Sequence, residues 1–133
     1  MRVVVDANVA IAAAASRGLC EAIFELCLEQ HQIVTCKGLN SEVETKLIDK
    51  LKIPKSVVAE FMSVLKDNSV LLEPEKVGKT ACRDANDLMI LGLVRPGNVE
   101  AIITGDKDLL VLKQFMGARI VSPRDFWESS KEK

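Results

Sequence analysis

The sequence predicts an α/β domain built on a parallel β-sheet, and three observations support this. First, Val3–Val5 is a β-branched run that is short and apolar throughout, as is typical of a strand buried on both faces of a parallel sheet. Second, the Ala-rich segment Ile11–Ser16, which favours a helix, follows closely. Third, short apolar runs alternate with helical patterns along the remaining chain, which favours parallel strands joined by right-handed crossovers.

Length and composition indicate one domain with an aliphatic core. A chain of 133 residues, of which 48% are hydrophobic, can bury a sizeable core, and Tyr is absent. The formal net charge of −1 excludes a strongly basic nucleic-acid-binding protein. If the protein handles nucleic acid, metal ions and a local patch of Lys and Arg must supply the attraction.

The elements follow one another without an internal repeat or a linker. Further strands are predicted at Gln32–Thr35, Val70–Leu72, Ala101–Thr104 and Arg119–Val121. Helices are predicted at Val9–Ala15, Leu19–Glu29, Leu39–Leu51, Val57–Leu65 after Pro54, Leu88–Val94, Lys107–Phe115 closed by Gly117, and from Pro123 after a Ser122 cap. A turn is expected at Pro96–Asn98, and residues 129–133 are expected to be a frayed tail.

The cysteine pattern favours free thiols in a reducing cytoplasm. No CxxC pair occurs, and the chain has a single histidine, His31, to complete a zinc site. No signal peptide is expected because Asp6 interrupts the apolar start, and no apolar run approaches the roughly 20 residues of a membrane span. The four cysteines are Cys20, Cys27, Cys36 and Cys82.

Acidic residues follow two of the predicted strands. Asp6 ends the first strand, and Asp106 follows Ala101–Thr104. Because the carboxyl ends of parallel strands meet at one edge of a sheet, these two carboxylates can share a ligand there. Asp87 begins a helix that starts at the same edge, and Glu42 lies in the first turns of another. Two further acids flank these positions, Asp84 and Asp108.

Carboxylates gathered in this way indicate a site for a hard divalent cation. Their mutual repulsion raises their pKa values, and a cation with oxygen ligands, Mg²⁺ or Mn²⁺, removes it. Two such ions can activate a water and stabilise the leaving oxygen in phosphodiester hydrolysis. Asn8 and Thr104 are placed to orient a carboxylate or a water, and Arg83 and Lys107 flank the site where they can meet phosphates.

Each residue also has a purely structural explanation. Asp6 or Asn8 can cap a helix, Asp87 can interact with a helix dipole, and Glu42 can be a solvated helix residue. Asp106 can belong to a turn, while Arg83 and Lys107 can be ordinary surface charges. The set is more informative than its members, because four independent structural roles would have to place acids on one sheet edge by accident.

Several segments of the chain resemble known motifs. They are VVVDANV, ACRDANDLMILGLV and AIITGDKDLL. In this order they resemble the D-x-N start, the R-D-x-x-D region of one subgroup and the T-G-D-x-D-L-L motif of the PIN-domain family. ARIVSPRDFW is similar to the closing I-x-(S/T)-P-x-x-F motif. LNSEVETKL resembles the helix that supplies a second acid, Glu42, with Glu44 two residues away.

The resemblance implies a three-layer α/β/α fold with a central, mostly parallel sheet of four to five strands. It also implies a Mg²⁺- or Mn²⁺-dependent ribonuclease, similar to VapC-like toxins, which are usually dimers held silent by an antitoxin. The implied acidic site is Asp6, Glu42, Asp87 and Asp106, with Asp108 as a fifth metal ligand. The chain departs from the pattern where Ala7 replaces a common Thr, Ala85 a common Pro, and Asn86 a frequent Asp.

Other functions are also compatible with this sheet. One alternative is a PIN-like scaffold that binds RNA or a protein without cutting, which an intact acid set argues against. A haloacid-dehalogenase-like phosphatase requires a second Asp where this chain has Asn8. A response-regulator receiver requires an acidic pair near the end of the first strand, and Met1–Ala10 offers one acid.

Overall fold

A mostly parallel sheet forms the centre of the computed structural model, which describes residues 1–78 and 84–131. In that part of the chain six strands pair in the order β3-β2-β1-β4-β6-β5, and β5 alone runs antiparallel to its neighbour. Helices flank the sheet, so the expected three-layer α/β/α arrangement is confirmed. The strands are β1 Arg2–Val5, β2 Gln32–Thr35, β3 Ser69–Leu71, β4 Ala101–Ile103, β5 Gln114–Phe115 and β6 Ala118–Val121.

Seven α-helices lie between the described strands, and an eighth follows β6. The predicted positions of the first two and the last are confirmed to within two residues at either end. Ser122 caps the last helix by accepting a hydrogen bond from the Asp125 backbone N–H. The helices are α1 Ala7–Ala15, α2 Leu19–Gln30, α3 Lys37–Thr45, α4 Lys55–Asp67, α5 Ala85–Leu91, α6 Val94–Gly97, α7 Lys107–Leu110 and α8 Pro123–Ser130.

The two central strands carry the core of the domain. Val3 and Val4 of β1, and all three residues of β4, have no solvent exposure. β-Branched side chains suit this environment because both faces of the sheet are covered. Val5 pairs with Ile103 in register, so the residues that follow them emerge side by side at the carboxyl edge.

The predicted helix Lys107–Phe115 is wrong beyond Leu110. Lys113 and Met116 adopt left-handed backbone conformations, and Gln114–Phe115 pairs with β6 as an antiparallel hairpin. Gly117, expected to close the helix, lies in the hairpin turn with φ of 89°. Hydrogen bonding with β6 therefore determines the conformation of this segment despite its helical pattern. The sheet has six strands among the described residues, and the prediction of four to five strands is wrong.

The predicted helix Leu88–Val94 is split in two. α5 ends at Leu91, and α6 includes Pro96 and Gly97, which were expected to form a turn. At the break, a Cβ on Gly92 would lie 2.4 Å from the Glu75 carbonyl oxygen, and the Gly92 carbonyl accepts the Glu75 N–H. The segment that contains Glu75, shortly before residues 79–83, therefore packs directly against the backbone at Gly92.

Two helix ends also differ from the prediction. The helix expected over Leu39–Leu51 begins at Lys37, and its last part, Lys46–Lys50, is a π-helical turn. α8 extends through Ser129 and Ser130, which were expected to be frayed, and both hydroxyls donate to the Phe126 carbonyl. Residues 132 and 133 lie outside the described residues.

The described cysteines Cys20, Cys27 and Cys36 are free. Burial raises the pKa of all three thiols, that of Cys27 to about 12, so they are neutral at ordinary pH. Cys82 lies outside the described residues. No helix in the described ranges is long and apolar enough to cross a membrane.

Replacement of Ile102 by Ala should destabilise the domain strongly. Its side chain is fully buried in β4, and a cavity at such a site costs about 2–5 kcal/mol of unfolding free energy. Urea denaturation followed by circular dichroism measures the loss. Val111→Ala, at a residue that is 73% exposed, is the matched control and should stay within about 0.5 kcal/mol of wild type. Equal losses in the two variants would contradict this placement of the core.

Candidate active site

The site begins where β1 and β4 end. The Asp6 backbone N–H donates to the Ile103 carbonyl at 2.9 Å, which continues the strand pairing by one residue. Thr104, fully buried, donates its hydroxyl to Asp6 Oδ2 at 2.5 Å. The same hydroxyl oxygen accepts the Asp106 backbone N–H at 3.0 Å. A single threonine therefore fixes both the Asp6 carboxylate and the start of the loop that carries Asp106.

Asp6 lies in an environment that disfavours its negative charge. Burial is the largest cause of its raised pKa, and the nearby carboxylates of Asp106 and Glu42 raise it further. Hydrogen bonds from the Thr104 hydroxyl and the Ala7 backbone N–H offset part of this effect. The electrostatic influence of Asp106 and Glu42 on Asp6 means that both predicted partners lie near it.

A second group of acids adjoins Asp6 through Asp106. One carboxylate oxygen from each of Asp87, Asp106 and Asp108 lies within 4.8 Å of the other two. α5 and α7 both begin at this edge, so Asp87 and Asp108 lie in first helical turns, where a negative charge is favoured. Asp106 Oδ1 also accepts the Asp108 backbone N–H at 2.8 Å, which holds the short loop in shape.

Glu42 lies on α3, and its two carboxylate oxygens differ in their interactions. Oε2 forms an ion pair of 2.9 Å with Lys46 Nζ, one helical turn along. Oε1 is buried and has no hydrogen-bond partner in the described part of the chain. Glu44, in contrast, is exposed and borders a separate groove beside α4. The structure therefore places Glu42, and not Glu44, at the acidic edge.

This donor set fits a hard divalent cation. Every side chain that converges here offers carboxylate oxygens, and the sulfur or imidazole ligands that zinc prefers do not take part in the described cluster. A buried carboxylate oxygen without a partner is costly, and a cation beside it would supply the missing interaction. Bound positive charge would likewise offset the burial that raises the pKa of Asp6.

The remaining predicted residues take different positions. Asn8 is exposed on α1, and no hydrogen bond joins its amide to the acids in the described chain. Lys107 is exposed at the start of α7, between Asp106 and Asp108. Asp84 caps α5 by accepting the Asn86 N–H at 2.8 Å, which is a structural role outside the cluster. Arg83 lies outside the described residues.

Lys46 is a residue of the site that the sequence analysis missed. Its spacing of four residues from Glu42 predicts contact on a helix, and this signal was available in the sequence. Its ammonium group is the cation nearest to Glu42 in the described structure, at 2.9 Å. It partly neutralises the acidic edge from the α3 side.

Comparisons with known proteins identify relatives of this chain. The crystal structure of VapBC2 from Rickettsia felis, bound to a DNA fragment from their promoter, is similar with a TM-score of 0.63. The match covers 92% of this chain and 98% of the matched chain at 12% sequence identity, and it shows the fold alone. A comparison with curated proteins finds no match.

A family model described as "PIN domain" matches residues 2–108. The matched range contains all of β1 and β4, and it includes every acidic residue of the site described above. Because the match extends over most of the chain and contains the strand ends that carry these acids, the protein belongs to the PIN domain family.

Proposed function

We propose that this protein is a Mg²⁺- or Mn²⁺-dependent endoribonuclease that hydrolyses RNA phosphodiester bonds. The observation that carries the proposal is the acidic edge, where Asp6, Glu42 and the Asp87–Asp106–Asp108 cluster converge and Glu42 Oε1 has no partner in the described chain. Membership of the PIN domain family, whose members are generally nucleases, supports the same activity.

Asp6, Glu42, Asp87, Asp106 and Asp108 are the residues that would hold the cation. A divalent cation bound to them supplies Lewis-acid chemistry at a phosphate oxygen and lowers the pKa of a water. Thr104 holds Asp6 in one orientation through its hydroxyl, and it links that orientation to the Asp106 loop. The protein thus positions its oxygen ligands before any substrate arrives.

Basic side chains beside the acids give the substrate phosphate a place to bind. Lys46, the first residue of the π-helical turn after α3, pairs with Glu42, and Lys107 is exposed between Asp106 and Asp108. Ammonium groups near the acidic edge would reduce the repulsion of a phosphodiester by the carboxylates. Two roles remain predictions from the sequence: an orienting amide for Asn8 and a phosphate contact for Arg83, which lies outside the described residues.

We further propose that the protein is the toxin of a toxin–antitoxin pair, that it is a homodimer, and that it acts in the cytoplasm. The similarity to the VapBC2 structure supports the toxin–antitoxin part of this proposal. Expression of the wild-type chain should arrest bacterial growth, and co-expression of the antitoxin should relieve the arrest. Arrest by a Glu42→Gln variant that cannot cut RNA would contradict a toxin that acts by cleavage.

Cleavage of a mixture of structured and unstructured RNA tests the nuclease directly. Wild type should cut in Mn²⁺ or Mg²⁺ and not in EDTA, because the carboxylates alone repel a phosphate. Asp6→Asn should lower the rate by more than about 100-fold, since even residues that only support metal ligands cost about 10–100-fold. A folded wild type that binds the cation but does not cut any RNA would favour the silent scaffold.

A pair of variants on α3 separates a site acid from a surface acid. Glu42→Gln should reduce cleavage by about 100-fold or more, because it removes charge from the partly buried residue beside Asp6. Glu44→Gln, two residues away and exposed, should cleave at the wild-type rate. Equal losses in both variants, measured under single-turnover conditions, would contradict the assignment of Glu42.

The raised pKa of Asp6 predicts a pH-dependent stability. Because its pKa is higher in the folded than in the unfolded protein, Asp6 binds more protons when folded, so its contribution falls as pH rises above the ordinary value of 3.8. In EDTA at pH 7, Asp6→Asn should therefore have a higher thermal midpoint than wild type. The difference should shrink as the pH approaches 4. A variant less stable than wild type at pH 7 would contradict this.

Lys46→Met should bind Mn²⁺ more tightly than wild type. Its ammonium group competes for Glu42 Oε2 and repels a cation, so its removal should strengthen affinity by about 2- to 5-fold, the range expected for a partly exposed ion pair. Isothermal titration measures the change. Lys50→Met, at the end of the same π-helical turn and exposed, is the control and should leave the affinity unchanged. Weaker binding by Lys46→Met would contradict the competition.

A further inference from the structure

A separate cavity opens beside the acidic edge. Its volume is about 550 Å³, which lies in the range of cavities that enclose small organic ligands. Apolar side chains supply most of its wall: Leu71, Leu72, Pro74 and Met89. Lys37 and Glu73 are the charged lining residues among those described, and their charges are opposite.

The cavity lies one to two strands away from the acids. Cys36, which lines it, directly follows β2, and Leu71 and Leu72 lie at the end of β3. β2 is the neighbour of β1, and β3 is the next strand outward. With strands about 4.8 Å apart, the cavity is roughly 5–10 Å from the end of β1, within reach of a nucleotide next to one held at Asp6.

The residues that line the cavity indicate which class of ligand it would bind. A phosphate would gain little, because the lysine and the glutamate on the wall cancel in net charge. A flat, largely apolar group with polar edges fits better, since the leucines, Pro74 and Met89 can cover its faces. Polar groups at the rim can then meet its edges and an attached phosphate.

We propose that this cavity binds a nucleobase of the RNA strand, next to the phosphate at the acidic edge. Proteins recognise single-stranded RNA mainly through unstacked bases, whose faces contact side chains and whose edges form hydrogen bonds. The proposal rests on the proposed ribonuclease function for the identity of the strand, but the binding of a base can be measured without cleavage.

Gly38 is the residue that lets Met89 form this wall. A Cβ on Gly38 would lie 2.3 Å from Met89 Sδ, so any other residue would displace the methionine. The first turn of α3 and the middle of α5 therefore approach each other closely at the cavity. Met89 is a natural reporter for a ligand, because its methyl group is at the wall.

Methyl NMR on the full chain, labelled at its methionine methyl groups, tests the proposal. The chain has four methionines, and Met89→Leu assigns the Met89 signal. A cytidine trinucleotide in Mg²⁺ should shift this signal through the ring current of the inserted base. The signals of Met1, at the other end of β1, and Met116, in the β5–β6 hairpin, should stay in place.

A matched probe and a matched variant complete the test. A trinucleotide of the same length without bases should leave the Met89 signal unmoved, because it offers phosphates alone. Leu71→Ala, at a residue that is 52% exposed, should weaken binding of the cytidine trinucleotide by roughly 3- to 10-fold. Val111→Ala, at an exposed residue beyond β4, should leave it unchanged.

Three outcomes would overturn the proposal: no Met89 shift at millimolar trinucleotide, equal shifts with the base-free probe, or a shift that follows protein dilution alone. The last would show that a second copy of the chain covers the cavity. Chromatography of the probe and the RNA cleavage assay report separately on the nuclease. A base-dependent Met89 shift without cleavage of any RNA would support the cavity and reject the ribonuclease.

Discussion

The pairing of β1 with β4 is the constraint on which the site depends. Val5 and Ile103 are opposite each other in the parallel register, and the next backbone hydrogen bond brings Asp6 beside Thr104. A slip of one residue would turn every side chain of a strand to the other face. Because both strands are buried in an aliphatic core, such a slip would expose apolar faces, and the core thereby fixes the position of the first carboxylate.

The same burial that positions Asp6 also opposes its charge. Asp6 is 7% exposed and close to two other acids, and Thr104 is the main partner that compensates its charge. A site of this kind lowers the stability of the protein without a cation, and the surrounding aliphatic packing must offset the loss. The burial that positions Asp6 for the proposed function therefore lowers the free energy of unfolding, and packing of the buried strands compensates this loss.

Local sequence patterns correctly predicted the central strands and the acids that follow them. The same kind of pattern gave wrong predictions where tertiary contacts determine the secondary structure. β1 and β2 could be predicted because their β-branched runs are typical of strands. The β5–β6 hairpin could not, because the identities of Gln114 and Phe115 do not indicate their pairing with β6, and the local pattern is helical. Glu42 and Glu44 are about 200° apart around α3, on opposite sides of its apolar stripe. Periodicity could not choose between them, because the choice depends on which side of the helix meets β1.

α5 separates two chemically different parts of the sheet edge. Asp87 and Met89 are two residues apart, hence about 200° apart around the helix, so one joins the acids and the other lines the apolar cavity. α3 contributes to both parts as well, through Glu42 and through Gly38, which admits Met89. A change in the packing of α3 on α5 would move a carboxylate and a cavity wall together. The packing of α3 on α5 thus couples the acidic edge, where a phosphate would bind, to the cavity, where the neighbouring base would bind.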